Sequence, residues 1–333
     1  MNDGGAPRLD LTLAPDDDAI QPFMIEDLRL RGRSVRLGPA LDAIVTRHDY
    51  PEPVAALLAE TLVLACTLAN TIKYEGVFTL QAQGDGPVRV LVADVTSAGH
   101  VRAYAALDRA RFDRLPPAAP ANPVPRYLGA GHLAFTVDQG PGTERYQGIV
   151  DLAGPTLAAC AQHYFRQSEQ IETVIHLAAG RRPSGETGAW RAGALMVQRL
   201  PRDRAGDAHA PGTGWDLASF EEEEREDGWR RVAALISSVK DAELLDPALA
   251  APQLLYRLFH EDGVRLYRRR ALVDRCRCSR ERAGNTLRML RRDELEEAKI
   301  DGAVVVTCQF CNRHERFDDR DLDELFAAAA TPQ

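Results

Sequence analysis

Four cysteines near the end of the chain have the type and spacing to do chemistry. Cys276 and Cys278 stand one residue apart, 29 residues follow, and Cys308 and Cys311 stand two residues apart. Two close pairs of thiolates suit a tetrahedral zinc ion, with sulfur about 2.3 Å from the metal. A two-residue gap lets a turn aim both sulfurs at one ion; a one-residue gap does so with a tighter chain. The same residues admit a redox reading. Metal-bound sulfur keeps some nucleophilic character, peroxide oxidises it, and a disulfide removes the ligands and with them the metal. A disulfide across one intervening residue is strained and easily reduced again, which suits a reversible switch more than a purely structural site. Spacing leaves both readings open. His314 is a candidate substitute ligand, although four cysteines already fill the shell.

Other constellations are weaker. Cys160 and His163 share a helical face, a pattern that reads as packing with a surface imidazole. Cys66 lies in an apolar helix and reads as an inert core thiol. Gly129-Ala130-Gly131 lacks the third glycine of a dinucleotide fingerprint, and Gly84-Asp85-Gly86 reads as a hairpin turn. No GxxxxGK[ST], HExxH or GxSxG occurs, so no catalytic residue is assigned and the chain is not expected to be an enzyme. From Arg265 to Arg292 there are eleven arginines against two acids, and from Asp293 to Glu324 eleven acids against four bases. This arginine run carries either nucleic acid or a face paired with the acids that follow it. Few aromatics lie nearby, so stacking recognition has little support.

The elements that must position the cysteines follow from pattern. The chain has 333 residues, 45% hydrophobic and 27% charged, with net charge −8. That length suggests two or three domains with a sizeable core. Six cysteines are too few for a disulfide-stapled secreted scaffold. Residues 1–18 read as a disordered acidic tail with no signal peptide. Val54 to Ala69 contains Glu60 and falls short of the roughly 20 apolar residues needed to span a membrane. It reads as a buried helix, and the protein as cytoplasmic.

Residues 19–200 read as an α+β core with largely antiparallel sheets. Strands are expected at Val35–Leu37, Val77–Ala82, Val88–Ala93, Val101–Ala105, Leu133–Val137, Tyr146–Leu152, Ile171–Ala178 and Ala192–Gln198. A helix is expected from Gly154-Pro155 to about Gln167. Residues 201–270 form a helical linker. It opens with a Pro/Gly/Asp-rich stretch and an acidic run, Glu221 to Asp227. Trp229, Val232, Leu235, Ile236 and Val239 then recur at helical spacing, and a second helix is expected at Gln253–His260. One apolar stripe beside a dense acidic flank marks a marginal element that needs a surface to dock on. Residues 271–329 form a small zinc-binding domain around Leu287, Leu290, Leu295, Ile300, Val304 to Val306 and Phe310.

With those residues in view the chain resembles the Hsp33 family of redox-regulated holdase chaperones. Cys276-Arg277-Cys278-Ser279-Arg280-Glu281-Arg282 matches that family's CxCSRER form, and Cys308-Gln309-Phe310-Cys311 its CxFC form. Tyr256 to Val264, Lys73 to Gly76, Leu80 to Pro87, Gly99 to Tyr104 and Trp190 to Gly193 resemble its other segments. The likeness covers roughly residues 20 to 326. The family usually has Gly after the last cysteine and an aromatic three residues later, where Asn312 and Glu315 stand here.

The resemblance implies that Cys276, Cys278, Cys308 and Cys311 hold one zinc ion in a reduced, inactive state. Oxidant with mild unfolding stress would expel it and form Cys276–Cys278 and Cys308–Cys311 disulfides. The linker would unfold, expose apolar surface, and hold unfolding client proteins without ATP, with a homodimer as the active form. The rivals are a zinc-ribbon nucleic-acid-binding regulator and a thiol-disulfide oxidoreductase using Cys308 and Cys311.

Overall fold

The computed structural model describes residues 17–117, 122–140, 142–181, 188–199 and 217–327. Residues 1–16 of the expected tail lie outside this set. Asp17 and Asp18 do not behave as tail. Asp17 pairs with Arg191, and the Asp18 carboxylate accepts from the backbone N–H groups of Gly38 and Ala40, at 2.9 and 3.0 Å.

In chain order the elements begin with β1 (Ala19–Ile25), β2 (Leu30–Leu37), α1 (Pro39–Thr46) and α2 (Glu52–Ala69). Next come β3 (Val77–Gly84), β4 (Val88–Thr96), β5 (His100–Leu107), the short α3 (Arg109–Phe112), β6 (Gly131–Asp138) and β7 (Tyr146–Asp151). Then α4 (Leu157–Tyr164), β8 (Thr173–Arg181) and β9 (Trp190–Arg199) complete the first part. One six-stranded sheet runs β10-β1-β2-β9-β8, with β11 also on β1; β10 (Val264–Leu266) and β11 (Arg270–Ala271) come from beyond the linker helices. The second runs β12-β5-β4-β3-β6-β7, with β12 (Val273–Asp274) parallel to β5. All other pairings are antiparallel.

α2 lies between the two sheets and contacts strands of both. Pro51 and Pro53 start it, in positions where a missing N–H costs nothing. Apart from Glu60 and two threonines its interior is apolar almost all round, because sheets cover it on both sides. It is also the one described helix long and apolar enough to cross a membrane, and 78% of it is buried. The expected hairpin of β3 and β4 is present, in the register Gln83 opposite Val90. Gly84 is needed there for close approach: an added Cβ would lie 2.0 Å from the Leu128 carbonyl oxygen. Gly129 to Gly131 pack against that turn, where Ala130 N–H meets the Asp85 carboxylate at 2.9 Å.

β1, β10, β11 and β12 are not among the expected strands. β1 contains Pro22, which argues against a strand. The ladders of β10 and β11 fall on either side of that proline, with Phe23 opposite Leu266 and Ile20 opposite Arg270. Residues 264–274 therefore add strands to both sheets of the N-terminal core.

The linker helices are α5 (Leu217–Ser238), α6 (Asp241–Leu245) and α7 (Ala251–Phe259). Trp229, Val232, Ile236, Val239, Leu244, Leu254, Leu255 and Phe259 cover the outer face of the first sheet. Beneath them lie Phe23, Ile25, Leu30, Ala178, Leu195 and Val197. Sheet side chains fix the linker by its backbone. Buried Arg36 donates to the carbonyls of Asp246 (2.7 Å) and Glu243 (3.0 Å), and Arg191 to that of Leu245 (2.7 Å).

The C-terminal unit contains α8 (Arg280–Leu287), α9 (Arg292–Glu297), the hairpin β13 (Val304–Thr307) and β14 (His314–Phe317), and α10 (Asp319–Ala327). Its core is Leu287, Leu295, Val304, Phe317 and Leu322. Leu290 and Ile300, expected inside, are 45% and 64% exposed. Phe310 also leaves this core, for a reason that lies in the neighbouring sheet.

Candidate metal centre

Each cysteine pair sits on a local device. Ser279 is the N-cap of α8, its hydroxyl accepting from Arg282 N–H at 3.2 Å, so Cys276 and Cys278 occupy the chain just before a helix start. Cys308 and Cys311 occupy the tip of the β13–β14 hairpin. There Cys308 N–H donates to Arg313 O at 2.9 Å, and Asn312 N–H to Cys308 O at 2.8 Å. Asn312 takes φ +57°. Glycine adopts that left-handed conformation freely, and asparagine is among the side chains that tolerate it best.

The four sulfurs lie within 4.8 Å of one another, with Cys276 Sγ 3.7 Å from Cys308 Sγ and Cys278 Sγ 3.3 Å from Cys311 Sγ. A tetrahedron of thiolates about 2.3 Å from one ion has edges of roughly 3.8 Å. The donor set and its spacing therefore fit a tetrahedral metal ion. Close sulfur–sulfur approaches thus run across the two motifs. Burial opposes charge on Cys276, but the Cys278 backbone and side chain, Arg102 and Cys311 outweigh it and bring the thiol down to about 7. Burial pushes Cys278 and Cys311 up. A group of thiols that cannot all ionise together is what a cation relieves.

His314 is not brought to the sulfurs; its Nδ1 lies 2.8 Å from Thr307 Oγ1. Cys66 and Cys160 are fully buried, and burial raises both thiols. His163 contacts Arg166 at 3.4 Å, with no nucleophile and base arranged there. Much of the arginine run is engaged by acids: Arg280 with Asp321, Arg291 with Asp293 and Arg292 with Asp323, each at 2.7 Å.

A docking contact joins the centre to the second sheet, and sequence reasoning missed it. On the outer face of that sheet Asp94 and Arg102 are direct cross-strand partners. Asp94 Oδ2 receives Arg102 Nε and Nη2 at 2.7 and 2.6 Å, and Arg277, from between the first two cysteines, at 2.7 Å. Thr79 donates to Oδ1 at 2.6 Å. Phe310 lies under the Arg102 guanidinium, 3.8 Å from ring centre to Cζ, and meets Tyr104 edge-on at 4.8 Å. Arg47 pairs with Asp274 beside them. Phe310 is thus a docking residue, not a core residue. The alternation of β4 and β5, which sends Asp94, Arg102 and Tyr104 outward, is the only signal that could have pointed here.

The family model described as Hsp33 protein matches residues 18–318. A protein of Caulobacter vibrioides strain NA1000 named 33 kDa chaperonin is 42% identical over 316 residues, covering 92% of this chain and 98% of its own. A protein of the same name from Pseudomonas fluorescens strain SBW25 is 36% identical over 322 residues, covering 96% and 97%. The crystal structure of a 33 kDa chaperonin from Thermotoga maritima matches with a TM-score of 0.71 at 24% identity, over 94% of this chain and 98% of that one. This last likeness concerns the fold.

Proposed function

The chain belongs to the Hsp33 family, and from that membership and the four-sulfur centre we propose an oxidant-activated, ATP-independent holdase chaperone of the cytoplasm. In this reading Cys276, Cys278, Cys308 and Cys311 hold one zinc ion while reduced. Bound zinc supplies folding free energy to a module whose own core is five apolar side chains. Oxidation joins Cys276 to Cys278 and Cys308 to Cys311. Sulfurs of the two motifs lie close to one another across the cluster, so pairing within each motif requires the shared centre to come apart.

The observation that carries the reading is continuity. Residues 264–274 run from the linker helices through both sheets of the core into Cys276. Loss of the thiolate centre loosens the docked module, and that loosens β12, β11 and β10 and the helices before them. Undocking bares Phe23, Ile25, Leu30, Leu195 and Val197, an apolar sheet face that suits unfolding clients and a second copy of the chain.

The test measures zinc content and suppression of aggregation of a heat-unfolded protein, before and after peroxide with mild warming. Zinc release together with gained suppression is expected. Unchanged zinc, or equal suppression in both states, would overturn the switch. Replacing Cys276 and Cys278 with Ser should uncouple suppression from oxidant.

A further inference from the structure

We infer that Arg102, a residue of the N-terminal sheet, is a positioning residue that shields the Cys276 thiolate from oxidants for as long as the C-terminal module stays docked. The inference rests on the switch reading above and explains how such a switch would require loosening as well as oxidant.

Arg102 Nη1 lies 3.8 Å from Cys276 Sγ. Among the described residues it is the one side chain of the N-terminal core with a hydrogen bond to a sulfur of the cluster. Its Nε and Nη2 meet Asp94, its direct partner on the neighbouring strand, and its Cζ lies 3.8 Å from the Phe310 ring centre. Because Asp94 belongs to the same sheet, Arg102 keeps its place when the module lifts. Cys276 and Phe310 then leave, and the sulfur loses its donor. The contact exists only in the docked state.

The chemistry it governs is two-electron oxidation by a peroxide. A lone pair on Cys276 sulfur attacks one peroxide oxygen, the O–O bond breaks, hydroxide leaves, and a sulfenic acid remains. The Cys278 thiolate then attacks that sulfur, the S–S bond forms, and a second hydroxide leaves. Two thiolates have lost two electrons in all and the peroxide has gained them. A charge-assisted N–H···S bond draws density from the attacking lone pair and covers one approach to it. Among metal-held sulfurs, all of them already ionised, this contact lowers reactivity.

The test uses the full-length, zinc-loaded chain at a temperature where it is fully folded. Peroxide is added, samples are quenched by alkylation, and formation of the Cys276–Cys278 disulfide is followed by mass spectrometry beside colorimetric zinc release. Arg102→Ala is expected to form the disulfide and release zinc about tenfold faster than the parent chain without warming, the factor for losing one charge-assisted bond. Tyr104→Ala removes a docking contact that donates nothing to sulfur, and it should accelerate the reaction less. An Arg102→Ala rate equal to the parent, or a Tyr104→Ala rate equal to that of Arg102→Ala, would overturn the shielding role. If the parent forms no disulfide even with peroxide and warming, the switch itself fails, and the shielding role with it.

Discussion

At the scale of single residues, charge placement decides more than hydrophobic content. Asp94 is nearly buried, and it is tolerable there because three N–H groups of Arg102 and Arg277 and the Thr79 hydroxyl meet it. Glu60 is the contrasting case. It stands on α2 within electrostatic reach of Asp241 of α6, which itself pairs with His176 of β8 at 3.0 Å. Burial first, and Asp241 second, raise the Glu60 carboxyl from 4.5 to about 7. The folded chain therefore holds that proton more tightly than the unfolded chain does. Its contribution to stability is complete below pH 4.5 and is lost as pH rises through about 7. Glu60→Gln should flatten the decline of Tm across that window, measured by circular dichroism in matched buffers. An undiminished slope would show that other groups set it.

At the scale of elements, the first sheet is informative because it is covered on both faces. Nine of the ten residues of β9 are buried. An antiparallel strand usually alternates; this one does not, because α2 covers one face and the linker helices the other. The fit is closest at Gly193. A Cβ there would lie 2.8 Å from both Leu244 Cβ and Leu244 O, so only glycine lets α6 descend to the reach of Arg36 and Arg191. Gly193→Ala should wedge α6 away at a cost of ~1–3 kcal/mol, typical of overpacking. The expected outcome is bound apolar dye and client suppression in the reduced, zinc-loaded chain, with the core sheets intact by circular dichroism. A variant that stays silent until oxidised would separate α6 docking from control.

At the scale of the molecule, the described residues form three apolar cores of unequal size, strung in series. The largest lies between the sheets around α2, the second under the linker, and the smallest in the C-terminal unit. Metal removal by a chelator under reducing conditions should therefore unfold the molecule from its end inward. Amide hydrogen exchange is expected to lose protection over 280–327, then over 241–266, while α2 and β3 to β6 stay protected. Loss of protection in α2 together with the C-terminal unit would mean a single cooperative block and would remove the physical basis for a switch.

Sequence by itself determined what is local. The four clustered cysteines are legible because the spacing within each pair is written within a few residues. The stripe from Trp229 to Val239 is legible because a helix repeats every turn, and the strands of the second sheet because one face is buried and the other open. Tertiary structure alone decided the rest. β10, β11 and β12 have two or three residues each and exist through partners far away in sequence. Phe310 reads as core until Arg102 and Tyr104 are brought beside it. The contact from Arg102 to Cys276 joins residues 174 apart, and no periodicity encodes a pairing between surfaces so distant in sequence.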